Sequence, residues 1–137
     1  MATDVSVATV KRIERITKRL ERELGLIGWL LIKHVFDPGY DGDTALEQNG
    51  TLSVYKTSAI TTAQWQYRFA TIRWFLPTCS QQSDDMIELI AIHEYIHAVL
   101  APLTAQHHKS MNSDLEEFVT ESLARMIGYA KGLEGIG

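Results

Sequence analysis

Residues 84–100 read DDMIELIAIHEYIHAVL, and this stretch decides the fold. Ser83, Asp84 and Asp85 can cap a helix running from about Asp85 to Leu100, with Pro102 just beyond it. Met86, Ile87, Leu89, Ile90, Ala91, Ile92, Ile96, Ala98, Val99 and Leu100 leave this helix almost no polar face. A helix that is apolar all round is buried all round. The rest of the chain must therefore supply its walls.

Upstream, Val10, Ile13, Ile16, Leu20 and Leu24 recur at steps of three or four, which predicts a helix over residues 5–24 that stops at Gly25. Its other faces carry Lys11, Arg12, Arg15, Lys18, Arg19 and Arg22 against Glu14, Glu21 and Glu23. That balance suits a solvated face laced with pairs such as Glu14–Lys18. Residues 26–36 (LIGWLLIKHVF) are short, apolar and branched, and read as a mostly buried strand. Residues 37–50 are rich in Asp, Gly and Asn and read as an acidic loop; their spacing does not fit an EF-hand. Residues 51–57 and 65–76 alternate and are rich in β-formers, so both read as strands. In the second, Arg68, Ala70, Ile72 and Trp74 share one face. Downstream, residues 104–112 are polar and loop-like, and Ser113-Asp114 can cap a last helix over residues 115–131. The predicted class is α+β: an N-terminal helix, a small three-stranded sheet, the buried helix and a C-terminal helix.

The 137 residues, 45% hydrophobic and 22% charged with a net charge of −4, suit one domain over residues 1–137. This balance excludes disorder as the main state. The mild acidity argues against a nucleic-acid partner, and no unbroken apolar run reaches the ~18 residues of a membrane span. The opening MATDVSVATVKRIER lacks a basic start followed by an apolar stretch, and Cys79 is the single cysteine. Both point to a reducing, cytoplasmic location. Oligomeric state does not follow from these features. In so short a chain, any chemistry comes from one compact site.

The buried helix carries His93-Glu94-Tyr95-Ile96-His97, an H-E-x-x-H match. Residues four apart lie on one helix face, so both imidazoles can bind one zinc ion. Glu94 can reach a metal-bound water and serve as general base. Three polar side chains in an apolar helix are costly unless they are paired or hold a metal. A catalytic zinc needs a third protein ligand. The glycine and third histidine of H-E-x-x-H-x-x-G-x-x-H are absent, which leaves the acids of LEEFVTESLARMI, residues 115–127. Leu115, Val119, Leu123, Met126 and Ile127 form the apolar stripe of that helix; Glu116 lies on its margin and Glu117 points away.

With this motif and a following acidic helix, the chain resembles the gluzincin metallopeptidases over roughly residues 26–130. Its layout is similar to compact phage and prophage members, including a Tyr67-x-x-Ala70-x-Ile72 segment before the metal helix. The resemblance implies that a glutamate on the last helix completes the site. Glu117 is the preferred ligand and Glu116 the alternate, since both spacings from His97 occur in the family. Glu121, four residues after Glu117, resembles the second acid that orients a ligand histidine in thermolysin-like enzymes. The implied activity is zinc-dependent hydrolysis of a peptide or protein substrate, in a bacterial host cytoplasm for a phage-encoded member. The implied substrate is extended along a sheet edge, for which residues 65–76 are the candidate. His107, His108 and Tyr129 are candidate proton or oxyanion donors. His34 reads as structural, and Trp29, Trp65 and Trp74 as core or cleft wall. The alternative function is a non-catalytic zinc-binding accessory or interaction protein on the same fold.

Overall fold

The computed structural model describes residues 4–39, 58–106 and 113–133. Helix α1 spans Asp4–Glu23, followed by strands β1 (Leu31–Asp37) and β2 (Ala59–Gln64). A 3-10 turn at Trp65–Tyr67 leads into β3 (Phe69–Phe75) and a short helix α2 (Leu76–Cys79). The long helix α3 (Asp84–Gln106) and the last helix α4 (Ser113–Lys131) complete the α+β architecture. The sheet order is β1-β3-β2, with β3 parallel to β1 and antiparallel to β2.

Ala70, Ile72 and Trp74 of β3 are fully buried, on the face that alternation predicts. Ile72 and Trp74 share a core with Ile13, Ile16 and Leu20 of α1 and with Ile87, Ala91 and Ile92 of α3. Thr9 and Thr17 of α1 are also buried, and each hydroxyl donates to the carbonyl four residues back. Ser83 Oγ accepts the Met86 N–H at 3.1 Å and caps α3 as its sequence suggests. From Ile87 to Ala98 the helix is enclosed or nearly so, whereas Val99 and Leu103 emerge at 56% and 48% exposure. By length and composition α3 could cross a membrane, but most of its apolar residues up to Leu100 pack in this core.

Four local features depart from the sequence reading. Strand β1 is half exposed rather than mostly buried, because among the described residues it pairs only with β3 and Leu31 faces out. It also starts late: Gly25 and Gly28 take φ of 72° and 83°, which wind residues 24–30 into turns. The polar segment AITTAQ forms β2, which no β-pattern marked, while the strand expected over residues 51–57 lies outside the described residues. Helix α3 runs through Pro102, where the ring removes one hydrogen bond near the end without stopping the last turn.

The basic face of α1 is turned against the start of α3. Arg12 Nε donates to Asp84 at 2.9 Å and its Nη2 to the Gln82 carbonyl at 2.6 Å; Arg15 reaches Asp84 at 3.0 Å. Glu88, 5% exposed, pairs with Arg19 and, at 3.4 Å, with Lys131 of α4; Lys131 also pairs with Glu23. Three helices thus meet at one buried carboxylate. A second polar cluster ties the same layers. Trp74 Nε1–H donates to His34 Nδ1 at 3.0 Å, so the neutral ring carries its proton on Nε2, 2.7 Å from Glu21 Oε2. The Tyr95 hydroxyl donates to the same oxygen at 2.8 Å, and its proton is held more firmly by burial and then by Glu21. His34 is structural, as its place in a strand suggests.

Glu88→Ala is expected to destabilise the protein by about 1–2 kcal/mol, measured by denaturant unfolding. The loss falls below the 3–5 kcal/mol typical of a broken fully buried pair, because Arg19 and Lys131 keep Glu23 as a partner.

Candidate metal centre

One turn of α3 separates His93 from His97, and their rings meet edge to face at 4.9 Å between centroids. Helix α4 runs antiparallel to α3, since Glu117 meets His97, Glu121 meets His93 and Lys131 meets Glu88. The result is a small cluster of nitrogens and oxygens. His93 Nε2 and His97 Nε2 lie 3.2 Å apart. Glu117 places one carboxylate oxygen 2.9 Å from His97 Nε2 and the other 3.5 Å from His93 Nε2.

The outer ring nitrogens are engaged as well. His93 Nδ1 is 2.9 Å from Glu121, and His97 Nδ1 is 3.0 Å from Glu116. A carboxylate only accepts, so each Nδ1 must carry the proton of its neutral ring, leaving a lone pair on each Nε2. Two lone pairs and a carboxylate then converge on one point, which is unfavourable unless a cation sits between them. Two ligands at about 2.05 Å in a tetrahedral shell stand about 3.3 Å apart. The three observed separations bracket that value, so the donor set fits a metal ion.

Without a metal, protons are the available cation. Burial pulls His97 down, but the hydrogen bond to Glu117, the charge of Glu94 and the bond to Glu116 outweigh it and push the ring up to about 9. His93 is also raised, with burial outweighed chiefly by Glu117 and Glu94. Hydrogen bonds from the two histidines hold Glu117 well below the usual carboxylate range. Glu94, 7% exposed, is pushed up by burial against the opposing hydrogen bond from Thr61 and the two imidazoles.

Thr61 is the site residue that sequence reasoning missed. Its hydroxyl donates to Glu94 Oε1 at 2.6 Å from strand β2. No motif links residues 61 and 94, and only the packing of β2 on α3 brings them together. The structure gives the adjacent acids distinct places: Glu117 faces both Nε2 atoms, and Glu116 faces His97 Nδ1. Glu121 stands against the His93 ring. Tyr129 is not brought to the site. It lies twelve residues beyond Glu117, about 18 Å along α4, and is 79% exposed. His107 and His108 lie outside the described residues.

The apolar stripe expected to seat α4 turns largely away from α3. Leu115, Leu123 and Met126 are exposed, while Thr120, Ala124 and Gly128 are buried. The histidines draw the acidic face inward, and residues without bulk let the helices approach.

A raised histidine stabilises the folded state below its unfolded pKa and loses that contribution as pH rises through the folded one. The melting temperature of the metal-free protein is therefore expected to fall between pH 6.5 and about 9, as thermal unfolding in chelator can measure. His97→Ala should flatten that slope.

No protein-family model, curated protein or solved structure matches this chain.

Proposed function

We propose that this protein is a zinc-dependent metallopeptidase resembling the gluzincins, with His93, His97 and Glu117 as the metal ligands. The observation that carries the reading is the convergence of those three acceptor groups, with buried Glu94 beside them. Zinc so held supplies Lewis acidity and a water whose pKa is lowered toward 7. Every remaining role belongs to the chain. Glu94 takes a proton from water as its oxygen bonds to the peptide carbonyl carbon. It then passes the proton to the departing nitrogen as the C–N bond breaks. The Thr61 hydroxyl fixes the orientation of the carboxylate that does this. Glu121 and Glu116 hold the histidine rings so that each Nε2 points inward.

An extended substrate cannot add to β3, because that strand is central and paired on both sides. This corrects the expectation for residues 65–76. Strands β1 and β2 are both edges among the described residues, and β2 is the one that carries Thr61 beside Glu94. A peptide joining β2 by strand addition would lie along the metal side of the sheet.

One observation favours a second reading, in which zinc only ties α4 to α3. The fully buried side chains of α4 are small, so the contacts of its glutamates with the histidines supply much of its attachment. The two readings part on a cleavage assay. Glu94→Gln should lower the cleavage rate of a peptide library by about 10²–10⁴-fold while keeping one zinc per chain. Wild-type rates in this variant would remove the general base. A zinc-loaded wild type that cleaves nothing would favour the tie.

Ligand roles separate by affinity. Glu116→Ala and Glu121→Ala are expected to weaken zinc binding by about 10–100-fold, as lost ring-orienting partners do. Glu117→Ala should weaken it more than either, measured by competition with a chromophoric chelator.

A further inference from the structure

Helix α4 presents its large apolar side chains outward. Phe118 is 70% exposed, Met126 66%, Tyr129 79% and Leu115 46%. With Ser122 they fall within a sector of about 80° on a helix of 3.6 residues per turn. We propose that this stripe is the contact surface of a homodimer, in which α4 packs antiparallel against α4 of a second copy about a two-fold axis at Ser122.

Three observations select a second copy as the occupant. The first is self-complementary spacing. Leu115 and Tyr129 stand seven residues either side of Ser122, and Phe118 and Met126 stand four either side. Antiparallel pairing about Ser122 sets Phe118 level with the other copy's Met126, and Leu115 level with its Tyr129. A two-fold interface requires this reciprocity, in which residue i meets j and j meets i. Ser122 is the small residue at the crossing. Its hydroxyl is already satisfied by the Phe118 carbonyl at 2.6 Å, so the axis can be dry.

The second is helix polarity. Antiparallel pairing opposes the dipoles of the two α4 helices, whereas parallel pairing stacks like on like. The third is area. At about 200 Å² for each aromatic side chain and somewhat less for Met and Leu, the four residues expose on the order of 500 Å² per copy. Two such faces reach the ~1,000 Å² that a specific interface needs.

The test is sedimentation of the zinc-loaded full chain, with cysteine cross-linking to fix the register. The wild type is expected to sediment at twice the chain mass. Met126→Asp, at a position exposed in the single chain, should raise the dimer dissociation constant by about 100-fold or more, with unchanged circular dichroism and zinc content. Ser122→Cys should form an interchain disulfide under mild oxidation, whereas Lys18→Cys on exposed α1 should not. Cys79 is fully buried and adds no background. A wild type that is monomeric up to its solubility limit overturns the proposal. So does a dimer that survives Met126→Asp and in which Ser122→Cys fails to cross-link.

Discussion

A neutral imidazole has one nitrogen with a proton and one without. In this fold, carboxylates claim the protonated side of both His93 and His97. That constraint turns two unprotonated nitrogens toward each other and toward Glu117 at the junction of α3 and α4. Once the rings are so held, the junction has to take up positive charge, as protons or as a metal ion. The two imidazoles are partly shielded from water, which lessens the screening of their converging lone pairs, while Glu117 stays exposed. The rest of the site follows. Glu94 is held beside the rings by Thr61, and β2 lies within reach because α3 packs on the sheet.

The same constraint settles how α4 sits. A helix with a wide apolar face would ordinarily place that face against the core. Here the acids Glu116, Glu117 and Glu121 all have partners on α3, and a rigid helix cannot turn both faces inward. Charge-assisted contacts with two histidines decide the orientation, and the apolar stripe goes outward. Thr120, Ala124 and Gly128 then fill the seam where bulky side chains would have held the helices apart.

What can be read in the sequence depends on distance along the chain. His93, Glu94 and His97 are legible because helical geometry converts a spacing of four into a shared face. Helix α1, the buried face of β3 and the burial of α3 are legible through periodicity. Glu117 and Glu116 are separated by only one residue step, and the apolar stripe alone leans toward Glu116; the position of the two imidazoles sets Glu117 against both Nε2 atoms and Glu116 against one Nδ1. Thr61 is illegible, because a threonine in a short polar strand carries no mark of a glutamate 33 residues away. Tyr129 was a candidate by residue type, and the rigid length of α4 takes it away from the site. The exposure of β1 follows from sheet order, which strand composition does not specify.

Most of the polar contacts that lock α1 in place reach far along the chain. Glu21 accepts from Tyr95 across 74 residues, Arg12 meets Asp84 across 72, and Lys131 meets Glu23 across 108. During synthesis, α1 leaves the ribosome well before any of these partners exists. Its apolar stripe of Ile13, Ile16 and Leu20 has no core to enter until α3 follows. The folding of this domain is therefore not vectorial: the first helix made is among the last to be secured, and it travels until then as an amphipathic segment open to chaperones.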